Sequence, residues 1–129
     1  MPMAPLRRVD LWGQPLLLMA VIYFLSAQPD LDSGLGTIDL IGRKVIHFCE
    51  YGLLCFLWWR VLRTRASPPR AALAALVIAS LYAASDEYHQ SFVDGRNGSP
   101  LDWLIDSAGA AVAALRLRDA GRRGAEVAA

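Results

Sequence analysis

The sequence predicts an all-α, polytopic membrane protein in which four transmembrane helices form a compact antiparallel bundle. Three observations support this fold class: an apolar composition, four apolar segments bounded by helix breakers, and a segregation of charge between alternate loops. Hydrophobic residues make up 55% of the 129 residues, charged residues only 19%, and the mean hydropathy is +0.33. A soluble chain of this length needs more polar residues, because small proteins are mostly surface. The composition therefore favours a membrane protein over a soluble bundle.

Four apolar segments account for most of the chain, which has room for a single domain over residues 1–129. Each segment lies near the lower end of the roughly 17–25 residues that span a hydrocarbon core. Prolines fall at their edges, where helices are expected to begin or end. The predicted spans are about 11–27, 45–62, 71–85 and 101–117.

Charge separates by alternate loops. If the N-terminus, the 60–70 region and the C-terminal tail share one side, that side carries ten basic and three acidic side chains. The opposite side then carries three basic and nine acidic side chains. Because basic residues flank spans on the cytoplasmic side, both termini are predicted to be cytoplasmic. The C-terminal tail itself is expected to be frayed.

Polar residues interrupt three of the spans near their predicted outer ends. They recur at three- and four-residue spacing, so on each helix they form one stripe. Ionisable groups at membrane depth are costly unless they face one another or a wet cavity. We therefore expect the stripes to form a polar pocket open to the outside. Their members are Lys44, His47, Glu50 and Tyr51, then Tyr82, Asp86, Glu87, His89 and Gln90, and finally Asp102 and Asp106.

Structural roles are an alternative for some of these residues. Ser99 can be the N-cap of the fourth helix, with Pro100 its first residue and Asp102 its reciprocal cap. Asp106, one turn further into the span, is not explained by capping. A second alternative is a structural ion-pair network in which Lys44 and Arg96 neutralise the surrounding acids and no ligand is bound.

Four short patterns give the chain a family resemblance. They are Ser-x-Gln-Pro at 26–29, Arg-Lys-x-x-His-Phe-x-Glu-Tyr at 43–51, Ser-Asp-Glu-x-His-Gln-x-Phe at 85–92 with Gly95 and Arg96 after it, and Asp102, Asp106 and Gly109 in the last span. Together they resemble the VanZ-like membrane proteins over about residues 10–115. The loop reads Val-Asp-Gly-Arg where many relatives are more similar to x-Pro-Gly-Arg.

The resemblance implies a multi-pass protein of the bacterial inner (cytoplasmic) membrane and the cell envelope. The member that names the family is linked to lowered susceptibility to teicoplanin, so the resemblance raises the possibility of a role in antibiotic resistance. It transfers no catalytic residue, only a shared set of polar positions.

The first functional interpretation is binding. An outward pocket with cationic side chains suits the anionic head of a membrane lipid or a lipid-linked envelope precursor, and apolar walls suit its chain. No nucleic-acid partner is expected, and a homo-oligomer is compatible with the short spans. The candidate binding residues are Lys44, His47, Glu50, Tyr51, Asp86, Gln90, Arg96, Asp102 and Asp106.

Two chemical alternatives stay open. In a hydrolase or transferase, Glu87 or His89 would be the general base, and Lys44 and Arg96 would stabilise developing negative charge. In a metal site, histidines and carboxylates on facing helices would hold a divalent ion, as carboxylate-bridged centres in helix bundles do. The candidate metal ligands are His47, Glu50, Asp86, His89 and Asp106.

Overall fold

The computed structural model describes residues 5–27, 36–93 and 98–128. Every regular element in these ranges is an α-helix: α1 (Pro5–Ser26), α2 (Thr37–Leu62), α3 (Pro68–Gln90) and α4 (Pro100–Ala128). The helices occur in the predicted order, and each is longer than its predicted span. The prediction of an all-helical chain is confirmed. The expectation of a frayed tail is wrong, because α4 continues through Ala128.

Three helices are long and apolar enough to cross a membrane, namely α1 from Arg7, α2 and α3. Helix α4 does not meet the same criterion of length and hydropathy. Its apolar stretch is interrupted by acids near its start and by arginines from Arg116 onward. The membrane prediction is thus supported for three helices, while a fourth span and the cytoplasmic position of the termini stay predictions.

Part of the side-chain distribution is the reverse of that in a soluble bundle. Large apolar residues face outward, as in Leu73 at 63% and Leu81 at 66% exposure, whereas Asp106 is 0% exposed. Soluble proteins bury leucine and expose aspartate. In a bilayer the apolar residues meet lipid, and the polar ones must turn inward. The burial pattern therefore agrees with the composition.

Small residues allow close packing of α4 on α2 and α3. A Cβ added at Gly109 would lie 2.1 Å from the backbone oxygen of Phe48, and one at Gly52 would lie 3.3 Å from the oxygen of Gly109. The face of α3 toward its neighbours is largely alanine. Ser80 and Ser107 are hydrogen-bonded across the α3–α4 contact, at 2.9 Å. Small residues that let backbones approach are typical of helix contacts in membranes.

Helix α1 contacts α2 and, over a smaller area, α3, but none of its described residues approaches α4. Near its middle, Arg60 Nη1 donates to Gln14 Oε1 at 2.7 Å. Closer to its C-terminal end, the Tyr82 hydroxyl donates to the backbone oxygen of Met19. Most other side chains of α1 are exposed and apolar. This helix therefore forms one side of the bundle rather than part of its centre.

Candidate functional site

Polar side chains meet at one end of the bundle, where α1 and α3 end and α2 and α4 begin. Contacts between distant parts of the chain define this end: Lys44 pairs with Asp102, and Tyr51 reaches Asp86. The stripes predicted from the sequence thus do face one another. They form two layers, described in turn from the start of α4 inward.

The outermost layer is a half-buried ion pair. Lys44 Nζ donates to Asp102 Oδ1 at 2.5 Å. Ser99 is the N-cap of α4 as predicted, since its Oγ accepts from the Asp102 N–H at 3.1 Å. The reciprocal cap is a different residue from the predicted one, because the Ser99 N–H donates to Glu87 Oε2 at 3.1 Å. Asp102 is free for the lysine because Glu87 takes the capping role.

Below the ion pair, His47 of α2 faces Asp106 of α4. His47 Nδ1 and Asp106 Oδ1 are 3.4 Å apart. The separation is at the outer limit of a hydrogen bond. Asp106 is completely buried, and neither of its carboxylate oxygens has a hydrogen-bond partner among the described residues.

Asp86 of α3 completes this layer. Its Oδ2 accepts a hydrogen bond from the buried Tyr51 hydroxyl at 3.2 Å. One ligand atom each from His47, Asp86 and Asp106 lies within 4.8 Å of the other two. We call these three residues the His-Asp-Asp cluster.

A cavity of about 250 Å³ opens beside the cluster, between α1, α2 and α3. Its lining combines aliphatic side chains with three carboxylates, one guanidinium, one imidazole, a hydroxyl and a carboxamide. The Arg43 guanidinium contacts Asp39 at 3.0 Å. The lining residues are Ile22, Leu25, Ser26, Asp39, Arg43, Ile46, His47, Glu50, Asp86 and Gln90.

Only some of the predicted binding residues line the cavity. His47, Glu50, Asp86 and Gln90 line it. Asp106 belongs to the His-Asp-Asp cluster without lining the cavity, and Tyr51 is hydrogen-bonded to Asp86 of that cluster. Lys44 and Asp102 form the separate ion pair. The predicted position of Arg96 lies outside the described residues.

The two predicted catalytic residues are not among the described residues that line the cavity. Glu87 caps α4. The His89 ring stacks on Tyr23 of α1, with ring centroids 4.7 Å apart. Of the five candidate metal ligands, His47, Asp86 and Asp106 come together, whereas Glu50 and His89 are not in that group.

Three polar cavity residues, Ser26, Asp39 and Arg43, were not among the predicted site residues, although Ser26 and Arg43 belong to the patterns of the family resemblance. Asp39 and Arg43 extend the stripe of His47 toward the start of α2 at helical spacing, which is a signal that could have revealed them. The predicted span began at residue 45, which left both residues in a loop.

A comparison with protein families identifies a match for this chain. The VanZ/LLP1 family matches residues 8–118, which is most of the sequence. The chain belongs to the VanZ/LLP1 family. Searches of curated proteins and of solved structures gave no significant match. The residues on which the VanZ resemblance rests include Ser26, Arg43, His47, Glu50, Asp86 and Gln90, and all six line the cavity.

Proposed function

We propose that this VanZ-family protein is a multi-pass protein of the bacterial cytoplasmic membrane that binds the headgroup of a lipid or lipid-linked envelope precursor. The observation that carries the proposal is the mixed lining of the cavity. Aliphatic side chains of α1 lie opposite the polar side chains of α2 and α3. Sites for small ligands combine an apolar lining with a few converging polar groups.

The polar lining suits a headgroup that both donates and accepts hydrogen bonds. Asp39, Glu50 and Asp86 are acceptors for sugar hydroxyls or an ammonium group. Arg43 is the cation at the cavity, and a guanidinium recognises phosphate. Arg43 lines the cavity beside its partner Asp39, whereas Lys44 is not among the lining residues and pairs with Asp102 outside it, so Lys44 is less suited to this role than its sequence position suggested. A glycosylated or amine-bearing lipid phosphate matches this combination.

The bilayer offers a direct route to the cavity. Two of its apolar lining residues, Ile22 and Leu25, belong to α1, the helix with the fewest contacts to the rest of the bundle. Exposed neighbours such as Leu17 and Val21 continue the apolar surface along the same helix. A headgroup in the cavity would therefore leave its chain against a surface that already faces lipid.

The side of the membrane follows from charge. Basic residues concentrate at the opposite end of the bundle, in the α2–α3 connection and the last part of α4. The positive-inside rule places that end in the cytoplasm and the cavity on the outer side. Lipid-linked precursors are used at that face, so an association with teicoplanin-type resistance would act through them.

Native mass spectrometry of protein released from mild detergent tests the proposal. We expect a retained adduct of lipid mass on the wild type, strongly reduced in Arg43→Gln. The matched control is Arg65→Gln, an exposed arginine in the connection between α2 and α3. An adduct equally abundant in Arg43→Gln, or no adduct on a helical wild type, contradicts a headgroup site in this cavity.

A further inference from the structure

We propose that His47, Asp86 and Asp106 bind one divalent transition-metal ion at the base of the cavity. The three residues come from three different helices, α2, α3 and α4, and each offers a ligand atom within 4.8 Å of the other two. The proposal does not depend on lipid binding, since all three ligand atoms belong to the protein.

The distance between His47 Nδ1 and Asp106 Oδ1 is the first argument. The two atoms face each other at 3.4 Å, and both are without a hydrogen-bond partner among the described residues. Ligand atoms on one tetrahedral zinc, each about 2.0–2.1 Å from the metal, are separated by about 3.3 Å. The observed separation therefore fits one edge of a coordination tetrahedron better than it fits a hydrogen bond.

The complete burial of Asp106 is the second argument. Its side chain is completely buried, and both oxygens lack a donor within the part of the chain that the structure describes. A buried carboxylate that accepts no hydrogen bond is costly, so such groups are paired with a cation or coordinate metals. Asp86, also buried, brings a second carboxylate to the same place. A divalent cation would compensate both charges.

Tyr51 supplies the third argument. Its hydroxyl donates to Asp86 Oδ2 at 3.2 Å, which fixes the orientation of that carboxylate and leaves Oδ1 for an ion. Carboxylate ligands of metal sites are commonly held by hydrogen bonds of this kind. Tyr51 would thus be a positioning residue rather than a ligand.

The ligand set selects a class of metal. One imidazole with two carboxylates suits zinc, iron or manganese better than calcium, which takes six to eight oxygen ligands. Three protein ligands leave a coordination position open, as in catalytic zinc sites. Because His47 and Asp86 also line the cavity, the open position would face it.

The test measures Zn²⁺ binding by the full-length protein after chelator treatment and removal of co-purified lipid. Competition with a fluorescent chelator gives the affinity, and elemental mass spectrometry gives the stoichiometry. We expect one Zn²⁺ per chain for the wild type and binding at least about 100-fold weaker for Asp106→Asn. The control Asp119→Asn makes the same change on the same helix, at an exposed aspartate, and should bind as the wild type does.

Two further variants keep the result decisive if Asp106→Asn does not fold. His47→Ala changes a half-buried ligand and should lose Zn²⁺ binding to a similar degree. Tyr51→Phe should weaken binding about 10–100-fold, as loss of a hydrogen bond to a ligand does. The proposal is overturned if the wild type takes up no Zn²⁺, or if the folded ligand variants bind as tightly as it does. A wild type that binds lipid without Zn²⁺ would contradict the metal site alone.

Discussion

The contact between α2 and α4 and the attachment of α1 represent two ways of joining helices in one small bundle. At Gly109, α4 lies so close to α2 that a single added carbon would overlap the Phe48 backbone. Helix α1 instead rests on separate side-chain contacts, such as Tyr82 to Met19 and the edge-on ring pair of Trp12 and Trp58. The first arrangement depends on the backbone itself, the second on individual side chains.

The difference shows how the site combines a fixed part with an adaptable one. His47 and Asp106 lie on the two helices that are packed backbone to backbone, which suits the short distances of a metal centre. The cavity has α1 as one wall, which suits a ligand of variable size. The proposed metal site and the proposed headgroup site would thus depend on different helices.

The largest effect is expected at the tight contact. Gly109→Ala would bring a Cβ to 2.1 Å from the Phe48 backbone oxygen, and only separation of α2 and α4 relieves that overlap. Overpacking typically costs 1–3 kcal/mol of stability, and more where the backbone must move. We therefore expect the free energy of unfolding to fall by at least about 3 kcal/mol. This change is measured by unfolding the purified wild type and variant in mixtures with an increasing proportion of denaturing to mild detergent. Stability equal to the wild type would show that the helices are further apart.

An intermediate effect is expected when one of the two hydrogen bonds from neighbouring helices to α1, counted among the described residues, is removed. Tyr82→Phe removes the donor to the Met19 carbonyl and should cost about 1 kcal/mol. The loss should be local. Hydrogen exchange should become faster in α1 while α2 and α4 keep their protection. Uniformly faster exchange in all four helices would instead indicate that α1 is an integral part of the core.

The smallest effect is expected at a glycine of α1. A Cβ at Gly13 meets no atom within 4 Å among the described residues, and alanine favours a helix more than glycine does. Gly13→Ala should therefore leave stability within about 1 kcal/mol of the wild type, on the stabilising side. The detergent-unfolding measurement used for Gly109→Ala makes the two glycines a matched pair. Destabilisation by Gly13→Ala would show that another part of the protein packs against α1 at this position.

The sequence predicts the helices and the polar stripes well, because both depend on local periodicity. The inward orientation of Asp106 could be predicted because this residue lies well inside an apolar segment. The partners of individual residues depend on how helices are set against each other. Helix spacing favoured Asp102 as the reciprocal cap of Ser99, but Glu87, twelve residues earlier on α3, takes that position. The exclusion of Glu87 and His89 from the cavity could not be derived from their spacing.

The weak attachment of α1 has a consequence for handling the protein. Much of the surface of α1 is apolar and exposed rather than packed on protein, so, for a protein taken from a membrane, its position would depend on the amphiphile that replaces the bilayer. A short-chain detergent should displace α1 before it disturbs the contact of α2 with α4. Such a preparation would retain the His-Asp-Asp cluster and lose the cavity. A failure to bind lipid in that detergent would then reflect the displacement of α1 by the detergent.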